Sequence, residues 1–217
     1  KAVQWAEVLG GWKALSEKEI FDLEYWELEQ AKLKNSPSRN EYDGKVVIIT
    51  GAASGIGEAC VTAYIAKGAV VAALDINPEV EEKYNTSNAR GIVCDITNIP
   101  EPDNAFDAIL CTEVLEHIPN PLDALKEFQR LLKIDGKLIL TAPFCSLTHQ
   151  SPYHFSTGFN KYFYEYYFAN LGFIIDEIKT NGNYFEYIAQ EIRRLPAIAK
   201  KYSNHSFSNK DSIAKNM

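Results

Sequence analysis

Short apolar segments alternate with amphipathic segments from residue 45 onwards, and this alternation restricts the fold more than any other feature. The apolar segments are continuous runs, which are typical of strands buried on both faces of a sheet. Strands that alternate with helices form parallel sheets with helices packed on both sides. The sequence therefore predicts an α/β fold, a Rossmann-like, doubly wound and mostly parallel sheet.

Six strands and three helices are predicted for this sheet. The predicted strands are residues 46–49, 69–74, 91–94, 106–111, 137–141 and 173–178. The predicted helices are residues 56–67, 121–133 and 183–201. A further helix is predicted at 16–34, because Ser16 and Glu19 form a capping box, and the turn-rich segment 35–44 follows it. These features divide the chain into an N-terminal helical extension and linker (1–44), a single Rossmann-like domain (45–201) and a polar tail (202–217).

The composition excludes several classes of protein. The chain has 217 residues, of which 46% are hydrophobic and 24% charged, as in globular proteins and unlike disordered chains or coiled-coil rods. No apolar run approaches the roughly 18 residues of a membrane helix, so no membrane span is predicted. The net charge of −7 argues against a nucleic-acid partner, because the phosphate backbone would be repelled.

The cysteines and the methionine give two further expectations. The four cysteines form no Cys-x-x-Cys pair, so neither a metal site nor a redox motif is predicted. Each lies in or beside an apolar segment, which favours buried free thiols and a cytoplasmic location. The single methionine is Met217, whereas the chain begins with Lys1. We therefore expect a fragment, a processed product or an assembled sequence.

A glycine-rich turn between the first predicted strand and helix is the clearest candidate binding site. Its glycines allow a sharp turn, a close approach of the backbone to a ligand, and close packing of the helix on the strand. The N–H groups at a helix start favour an anionic ligand. An aspartate at the end of the second strand can accept both ribose hydroxyls and would repel a 2′-phosphate. The predicted cofactor-binding residues here are Gly51, Ser54, Gly55, Ile56, Gly57, Asp75 and Ile76.

A second carboxylate ends the third predicted strand. Asp95, with Ile96 beside it, is placed to meet an adenine amino group of a cofactor. Alternatively, Asp95 caps the turn that follows, and the sequence leaves both roles open.

The first part of the chain, about residues 1–97, resembles short-chain dehydrogenases. The resemblance rests on Val-Val-Ile-Ile-Thr-Gly at 46–51, Gly-Ile-Gly at 55–57 and Leu-Asp at 74–75. Residues 21–33 resemble the segment before the dehydrogenase domain of bifunctional rhamnulose-1-phosphate aldolase/dehydrogenase proteins. The resemblance implies NAD binding. Those dehydrogenases also need a tyrosine followed four residues later by lysine, and none of the 12 tyrosines has one, so the hydride-transfer apparatus is absent.

Residues 99–195 resemble a different family, the class I methyltransferases of type 11, which use S-adenosyl-L-methionine. The resemblance is carried by Phe-Asp-Ala-Ile-Leu at 106–110, Glu-Val-Leu-Glu-His-Ile-Pro-Asn-Pro at 113–121, Leu-Leu-Lys at 131–133, Gly-Lys-Leu-Ile-Leu-Thr at 136–141, His154, Gly-Phe at 172–173 and Asn-Gly-Asn-Tyr-Phe-Glu at 181–186. Thr50 departs from this family, because an acidic residue is expected there. No segment after residue 201 can supply the usual last antiparallel strand.

Both families order their first five strands 3-2-1-4-5, so a join near 95–99 is topologically allowed. We predict a hybrid sheet with the order 3-2-1-4-5-6 that lacks the last antiparallel strand. Such a hybrid is engineered, computationally generated or joined from two gene fragments, and the sequence leaves these origins open. Elements adapted to different partners should pack imperfectly, which predicts modest stability.

The residues after the fourth strand are predicted to face the ligand crevice, because ligands of such sheets bind beyond the carboxyl ends of the strands. Thr112 and Glu113 are the predicted cofactor contacts there. His117 is the candidate catalytic base, since its unperturbed pKa is near neutral, and the alternative is that it braces its loop. Tyr153, His154 and Tyr184 are the predicted substrate-binding residues. For the aromatic-rich segment 153–168, ordinary packing of a helix on the sheet is the alternative.

Three functions follow from these features. The leading hypothesis is a class I methyltransferase that uses S-adenosyl-L-methionine on an unknown small molecule, with weak or no activity. The alternative is an NAD(P)-binding, dehydrogenase-like module that lacks the Tyr-x-x-x-Lys pair. The third is a non-catalytic scaffold that binds neither cofactor. The oligomeric state is not predicted.

Overall fold

The computed structural model describes residues 40–202, and the compact unit that contains the sheet begins at Glu41. The predicted helix at 16–34 and the tail after residue 202 lie outside the described residues. The division of the chain at 44 and 201 therefore stays a prediction. No helix between residues 40 and 202 is long and apolar enough to cross a membrane.

A parallel sheet of five strands forms the centre of the described domain. The strands are β1 (Val46–Thr50), β2 (Val70–Asp75), β3 (Ala89–Val93), β4 (Phe106–Thr112) and β5 (Leu132–Thr141). Their order across the sheet is β3-β2-β1-β4-β5, and every neighbouring pair is parallel. The predicted Rossmann-like fold class and the predicted order of the first five strands are confirmed.

Helices lie between the strands and after the last of them. They are α1 (Gly55–Ala66), α2 (Glu79–Lys83), α3 (Pro121–Leu131), α4 (Lys161–Asn170) and α5 (Tyr184–Tyr202), with a 3-10 helix at Leu115–His117. α1, α3 and α5 correspond to the three predicted helices, whereas α2, α4 and the 3-10 helix are additional. α3 forms because Pro121 suits a first helical turn and because Ala124, Leu125, Phe128 and Leu131 make one buried face.

The predicted sixth strand at 173–178 is wrong, because the structure places this segment in no strand. β5 is thus an edge strand of the described sheet. A sixth strand would itself be an uncovered edge and would carry the charges of Asp176 and Glu177. In the structure Lys137 of β5 reaches Asp176 through an exposed ion pair of 2.6 Å, without strand pairing.

Two apolar clusters lie on opposite faces of the sheet. Successive β1 residues alternate between them, so that Ile48 belongs to one cluster and Val47 to the other. Phe128 of α3 packs in the first cluster and Val61 of α1 in the second. Ile96, from the predicted join, is 4% exposed and packs in the first cluster with residues from both parts of the chain.

The aromatic-rich segment mostly packs on the first cluster. The Asn160 side chain caps α4 by accepting hydrogen bonds from the N–H groups of the second and third helical residues. The aromatic residues that pack against this cluster are Phe159, Phe163, Tyr164, Tyr167, Phe168 and Phe173. Ordinary helix packing therefore accounts for most of this segment.

Candidate functional site

The glycine-rich turn and the segment after β4 meet at one end of the sheet, because its strands are parallel and their carboxyl ends lie together. Thr50 is in register with Leu74 of β2, and Ile49 is in register with Leu110 of β4. A Cβ on Gly51 would lie 3.1 Å from Cγ2 of Val114. The glycine-rich turn after β1 therefore lies against the segment after β4.

The glycines of this turn meet two different steric requirements. Gly51 and Gly55 have φ values of +63° and +59°, which side chains other than glycine rarely adopt. A Cβ on Gly57 would lie 2.2 Å from the carbonyl oxygen of Gly51, so only glycine permits this approach of α1 to β1. Ser54 is the N-cap residue of α1 and is exposed, as is Ile56, at 57%. The turn thus presents an accessible helix start to solvent.

The carboxylate of Asp75 is hydrogen-bonded to the glycine-rich turn. Its Oδ2 accepts a hydrogen bond from the Ala53 N–H at 2.9 Å, and its Oδ1 accepts one from the Asn77 N–H at 2.9 Å. The carboxylate is therefore oriented by the loop it is predicted to serve. Ile76 follows it and is 62% exposed, so its side chain is free to contact a ligand.

Two residues that the sequence analysis missed also hold the turn. The Lys83 Nζ donates to the Ala53 carbonyl oxygen at 2.9 Å and pairs with Glu58 at 2.5 Å. The Tyr84 hydroxyl donates to the Ala52 carbonyl oxygen at 3.1 Å. Both lie at the end of α2, a helix too short to leave a periodic signal in the sequence. The turn is fixed by these contacts before any ligand binds.

Asp95 takes the capping role that the sequence left open. Its Oδ1 accepts hydrogen bonds from the Thr97 N–H at 2.9 Å and from the Thr97 hydroxyl at 2.8 Å. Ile96 is buried in the core, so its side chain does not face the crevice. A cofactor contact at this position would have to use the backbone of Ile96 or the second oxygen of Asp95.

The segment after β4 contains one backbone position of unusual geometry. Glu113 has a φ of +52°, a left-handed value that costs energy for a residue other than glycine. Its Oε1 accepts a hydrogen bond from the Thr141 hydroxyl at 2.8 Å, and its N–H donates to the Thr141 carbonyl oxygen at 2.9 Å. Thr112 is half-buried. Thr50 is fully buried, so it offers no side chain to a ligand in the crevice.

His117 lies in a cluster of three histidines around a buried glutamate. The ring centroid of His149 lies 4.9 Å from that of His117 and 4.5 Å from that of His154. Oε1 of Glu116 lies 3.7 Å from Nε2 of His117 and 3.9 Å from Nε2 of His149. Burial raises the pKa of Glu116 to about 6. Burial and the neighbouring histidines lower the pKa of His154.

Contacts from the backbone and from α5 hold this cluster in place. The N–H groups of Phe155 and Ser156 donate to the Glu116 carbonyl oxygen at 3.0 and 3.1 Å. The Leu147 N–H donates to Oε2 of Glu191 on α5 at 2.9 Å. Glu191 also pairs with Arg194 at 2.7 Å. The cluster therefore joins the 3-10 helix to the loop before α4.

The predicted substrate residues separate into two places. Tyr153 and His154 lie at the cluster, where the Tyr153 carbonyl oxygen is hydrogen-bonded to Nδ1 of His117. Tyr184 is 67% exposed in the first turn of α5, and its ring contacts those of Phe185 and Tyr187. Glu116 and His149 are site residues that the sequence analysis missed.

The family comparisons match the two predicted resemblances in part, since the methyltransferase match begins within the part predicted to resemble dehydrogenases. Residues 52–140 match the family model described as a methyltransferase domain. Residues 1–33 match the family model described as the second domain of class II aldolases. The methyltransferase match runs from the glycine-rich turn to β5 and includes the segment after β4, although it covers less than half of the chain.

Individual relatives divide in the same way. The chain is 30% identical over 168 residues to the uncharacterized oxidoreductase YuxG of Bacillus subtilis, covering 67% of this chain and 24% of that protein. It is 32% identical over 87 residues to a ubiquinone biosynthesis O-methyltransferase of Xanthomonas oryzae, covering 34% of each. The chain thus spans a quarter to a third of the length of these curated relatives.

A solved structure shares the fold over most of the chain. Haemonchus contortus phosphoethanolamine N-methyltransferase 2, in complex with S-adenosyl-L-methionine, superposes with a TM-score of 0.54 at 17% identity. The match covers 91% of this chain and 54% of that one. The chain therefore has the Rossmann-like fold of methyltransferases and carries a methyltransferase-domain match over 52–140.

Proposed function

We propose that this chain is a class I methyltransferase that transfers a methyl group from S-adenosyl-L-methionine to a small-molecule acceptor. One observation carries the proposal. The glycine-rich turn, Asp75 and the strained Glu113 meet at the carboxyl edge of the sheet, within or directly beside the residues that match the methyltransferase domain. Ligands of parallel α/β sheets bind at this edge.

The residues present fit an adenosine-containing cofactor. Asp75 is held by two backbone N–H groups, and a carboxylate has further lone pairs with which to accept the ribose hydroxyls. Ile76 offers an exposed apolar side chain to an adenine ring. Gly55 leaves open space for a ligand, since a Cβ at this position would meet no atom within 4 Å beyond its chain neighbours. Glu113 and Thr112 would face the methionine portion.

The cofactor supplies a methyl group that is already activated on a sulfonium. The protein must then position the acceptor and exclude water, and few catalytic side chains are needed. In this proposal His117 takes a proton from the acceptor. Its Nδ1 donates to the Tyr153 carbonyl oxygen, which leaves a lone pair on Nε2 in the neutral ring. Tyr153, His154 and Tyr184 remain the proposed acceptor contacts.

A second candidate function is NAD binding without hydride transfer. The three-glycine turn favours NAD, because its spacing suits a pyrophosphate. Thr50 also favours NAD, since it provides no acidic group for the methionine part of a methyl donor. The relationship to an oxidoreductase of Bacillus subtilis also supports it. The absence of a Tyr-x-x-x-Lys pair from the sequence argues against dehydrogenase activity.

We also propose a hybrid origin. The aldolase-domain match at residues 1–33 and the methyltransferase-domain match at 52–140 support two sources, although the methyltransferase match runs across the predicted join at 95–99. We also propose a cytoplasmic location, because all four cysteines are free thiols in the structure.

Calorimetric titration of the full chain with S-adenosylhomocysteine and, separately, with NAD tests the proposal. Binding of S-adenosylhomocysteine alone supports the methyltransferase and justifies a screen of acceptors. Binding of NAD alone refutes it in favour of the second candidate. Binding of neither supports the scaffold hypothesis.

An Asp75→Asn variant locates the binding. It removes the charge that serves the ribose, so we expect about 10- to 100-fold weaker binding, since a hydrogen bond to a charged group is worth about 1.5–3 kcal/mol. Asp123→Asn is the matched control, because Asp123 forms an exposed pair with Lys126 on α3. Equal cofactor affinity in the two variants would show that Asp75 does not contact the cofactor.

A further inference from the structure

We propose that Glu116, His117 and His149 bind a divalent transition-metal ion of the zinc class. One ligand atom from each residue lies within 4.8 Å of the other two. Tetrahedral zinc with bonds of about 2.0–2.1 Å needs its ligand atoms roughly 3.3 Å apart. The observed separations of 3.7 and 3.9 Å between Glu116 and the two imidazoles exceed that value only slightly. The ligand nitrogens of the two histidines lie within 4.8 Å of each other, so both rings would have to rotate to close the shell.

Both imidazoles are oriented as metal ligands usually are. Nδ1 of His117 is hydrogen-bonded to the Tyr153 carbonyl oxygen, and Nδ1 of His149 lies 3.0 Å from the Leu147 carbonyl oxygen. A carbonyl only accepts, so each Nδ1 carries the proton and each Nε2 keeps its lone pair. Metal-binding histidines commonly donate their other ring N–H to a backbone carbonyl in this way. The two free Nε2 atoms face Glu116.

In the described domain, the buried carboxylate of Glu116 lacks a partner that would balance its charge. Glu116 is 1% exposed, and its Oε2 is buried with no hydrogen-bond partner among residues 40–202. Burying a carboxylate is costly unless it is paired or coordinates a metal. Within the described part of the chain, the salt-bridge distances connect Glu116 only to the two histidines, which supply positive charge only when protonated. A bound cation would satisfy the carboxylate and both rings together.

His154 lies beside these three ligands but is not within 4.8 Å of all of them, so a water molecule would take the fourth position of the shell. Its Nε2 is buried and has no hydrogen-bond partner in the described chain, and its ring lies 4.5 Å from that of His149. Two imidazoles and one carboxylate suit zinc, nickel, copper or iron, whereas magnesium and calcium prefer oxygen ligands. The donor set therefore favours zinc, the commonest such ion without redox chemistry.

The ion would change the role of one proposed catalytic residue. With Nε2 of His117 bound to zinc, this nitrogen cannot take a proton from the acceptor. The ion would instead fix the loop that carries Tyr153 and His154 against the 3-10 helix. Metal binding does not depend on methyl transfer, so its failure and the failure of the proposed function are distinguishable.

Cobalt(II) serves as a spectroscopic probe of the site in the full chain. The protein is treated with chelator, desalted and titrated with Co²⁺, and then with Zn²⁺. We expect one equivalent of Co²⁺ to produce intense visible absorption bands of a four-coordinate site, and one equivalent of Zn²⁺ to abolish them. Weak octahedral bands, or no saturation at one equivalent, would overturn the proposal.

Two ligand variants and one control variant test the assignment. Glu116→Gln and His149→Gln preserve side-chain shape or polarity and should weaken Zn²⁺ binding by more than the 10- to 100-fold typical of outer-shell changes. His205→Gln, at a histidine outside the described residues, is the control and should bind like the wild type. Circular dichroism checks that each variant is folded. Wild-type affinity in both ligand variants, or loss of binding in the control, would refute the assignment.

Discussion

Asp107 at the start of β4 links three strands, and its removal should destabilise the domain measurably. Oδ2 accepts hydrogen bonds from the Val46 N–H of β1 at 3.0 Å and from the Lys133 Nζ of β5 at 2.8 Å. Oδ1 accepts one from the Lys45 Nζ at 3.2 Å. The side chain is 18% exposed, so these contacts are partly shielded from solvent.

The pKa of Asp107 gives the size of the effect. Burial acts to raise this pKa, but the hydrogen bonds from Lys133, Val46 and Lys45 outweigh burial and lower it from 3.8 to about 2. A difference of nearly two pKa units corresponds to about 2 kcal/mol of stability for the charged form. Because the folded pKa is the lower one, this stability is present above pH ~4 and is lost as the pH falls towards ~2.

Urea denaturation of Asp107→Asn and the wild type, repeated across this pH range, measures the contribution. We expect the variant to be less stable by about 2 kcal/mol at neutral pH, and the difference to shrink below pH ~4. Asp176→Asn is the control, because its pair with Lys137 is shorter, at 2.6 Å, but exposed. Screened surface pairs contribute little, so no measurable change is expected.

Two results would refute this reasoning. One is a loss in the Asp176 variant equal to that in the Asp107 variant, which would mean that distance and not burial sets the energy. The other is a penalty in the Asp107 variant that stays constant as the pH falls.

Two further predictions concern the turn and the thiols. Gly57→Ala places a methyl group 2.2 Å from the Gly51 carbonyl oxygen, so we expect a loss of about 1–3 kcal/mol in urea denaturation and loss of S-adenosylhomocysteine binding in calorimetry. Wild-type behaviour in both would contradict the close approach of α1 to β1. Burial raises the pKa of Cys111 to about 12 and that of Cys94 to about 11. Both thiols should therefore resist alkylation at pH ~8 until urea unfolds the chain, as measured by peptide mass spectrometry. Cys111 is buried and Cys94 half-buried, so rapid labelling of Cys111 in native protein would contradict the prediction.

The sheet was predictable from the sequence because each of its strands contains a short apolar run with a local signal. The start of β5 was missed, because Lys133 and Asp135 interrupt its apolar pattern. The roles of Gly51 and Gly57 were predictable for the same reason, since the turn, the strand and the helix are contiguous. The prediction of a sixth strand was wrong, because an apolar run at 173–178 does not show whether the edge strand of the sheet will pair with it. Strand pairing is a property of two segments, and the pattern of one segment does not contain it.

The histidine cluster was not predictable because its members meet only through loops. Glu116 and His117 lie after β4, whereas His149 and His154 lie in an irregular segment between β5 and α4. Hydrogen bonds from the Phe155 and Ser156 N–H groups to the Glu116 carbonyl oxygen bring the two segments together, and Glu191 holds the second segment against α5. The sequence contains no local pattern that shows that these two segments contact each other, because the contact depends on the tertiary structure. Asp95 shows the opposite case, in which a local turn decided between two open roles.

The proposed join affects the fold and the site to different degrees. Within the sheet, the two parts meet where β1 pairs with β4, through Val47, Ile48 and Ile49. A parallel ladder uses backbone groups, and the side chains on both faces need only be apolar and of suitable volume, so segments of different origin can pair there. The crevice is more demanding, because Gly51 and Val114 approach closely and a ligand must fit both parts. A hybrid can therefore keep the fold while losing the match between the turn and the segment after β4. Cofactor binding is consequently a stricter test of this chain than its melting temperature.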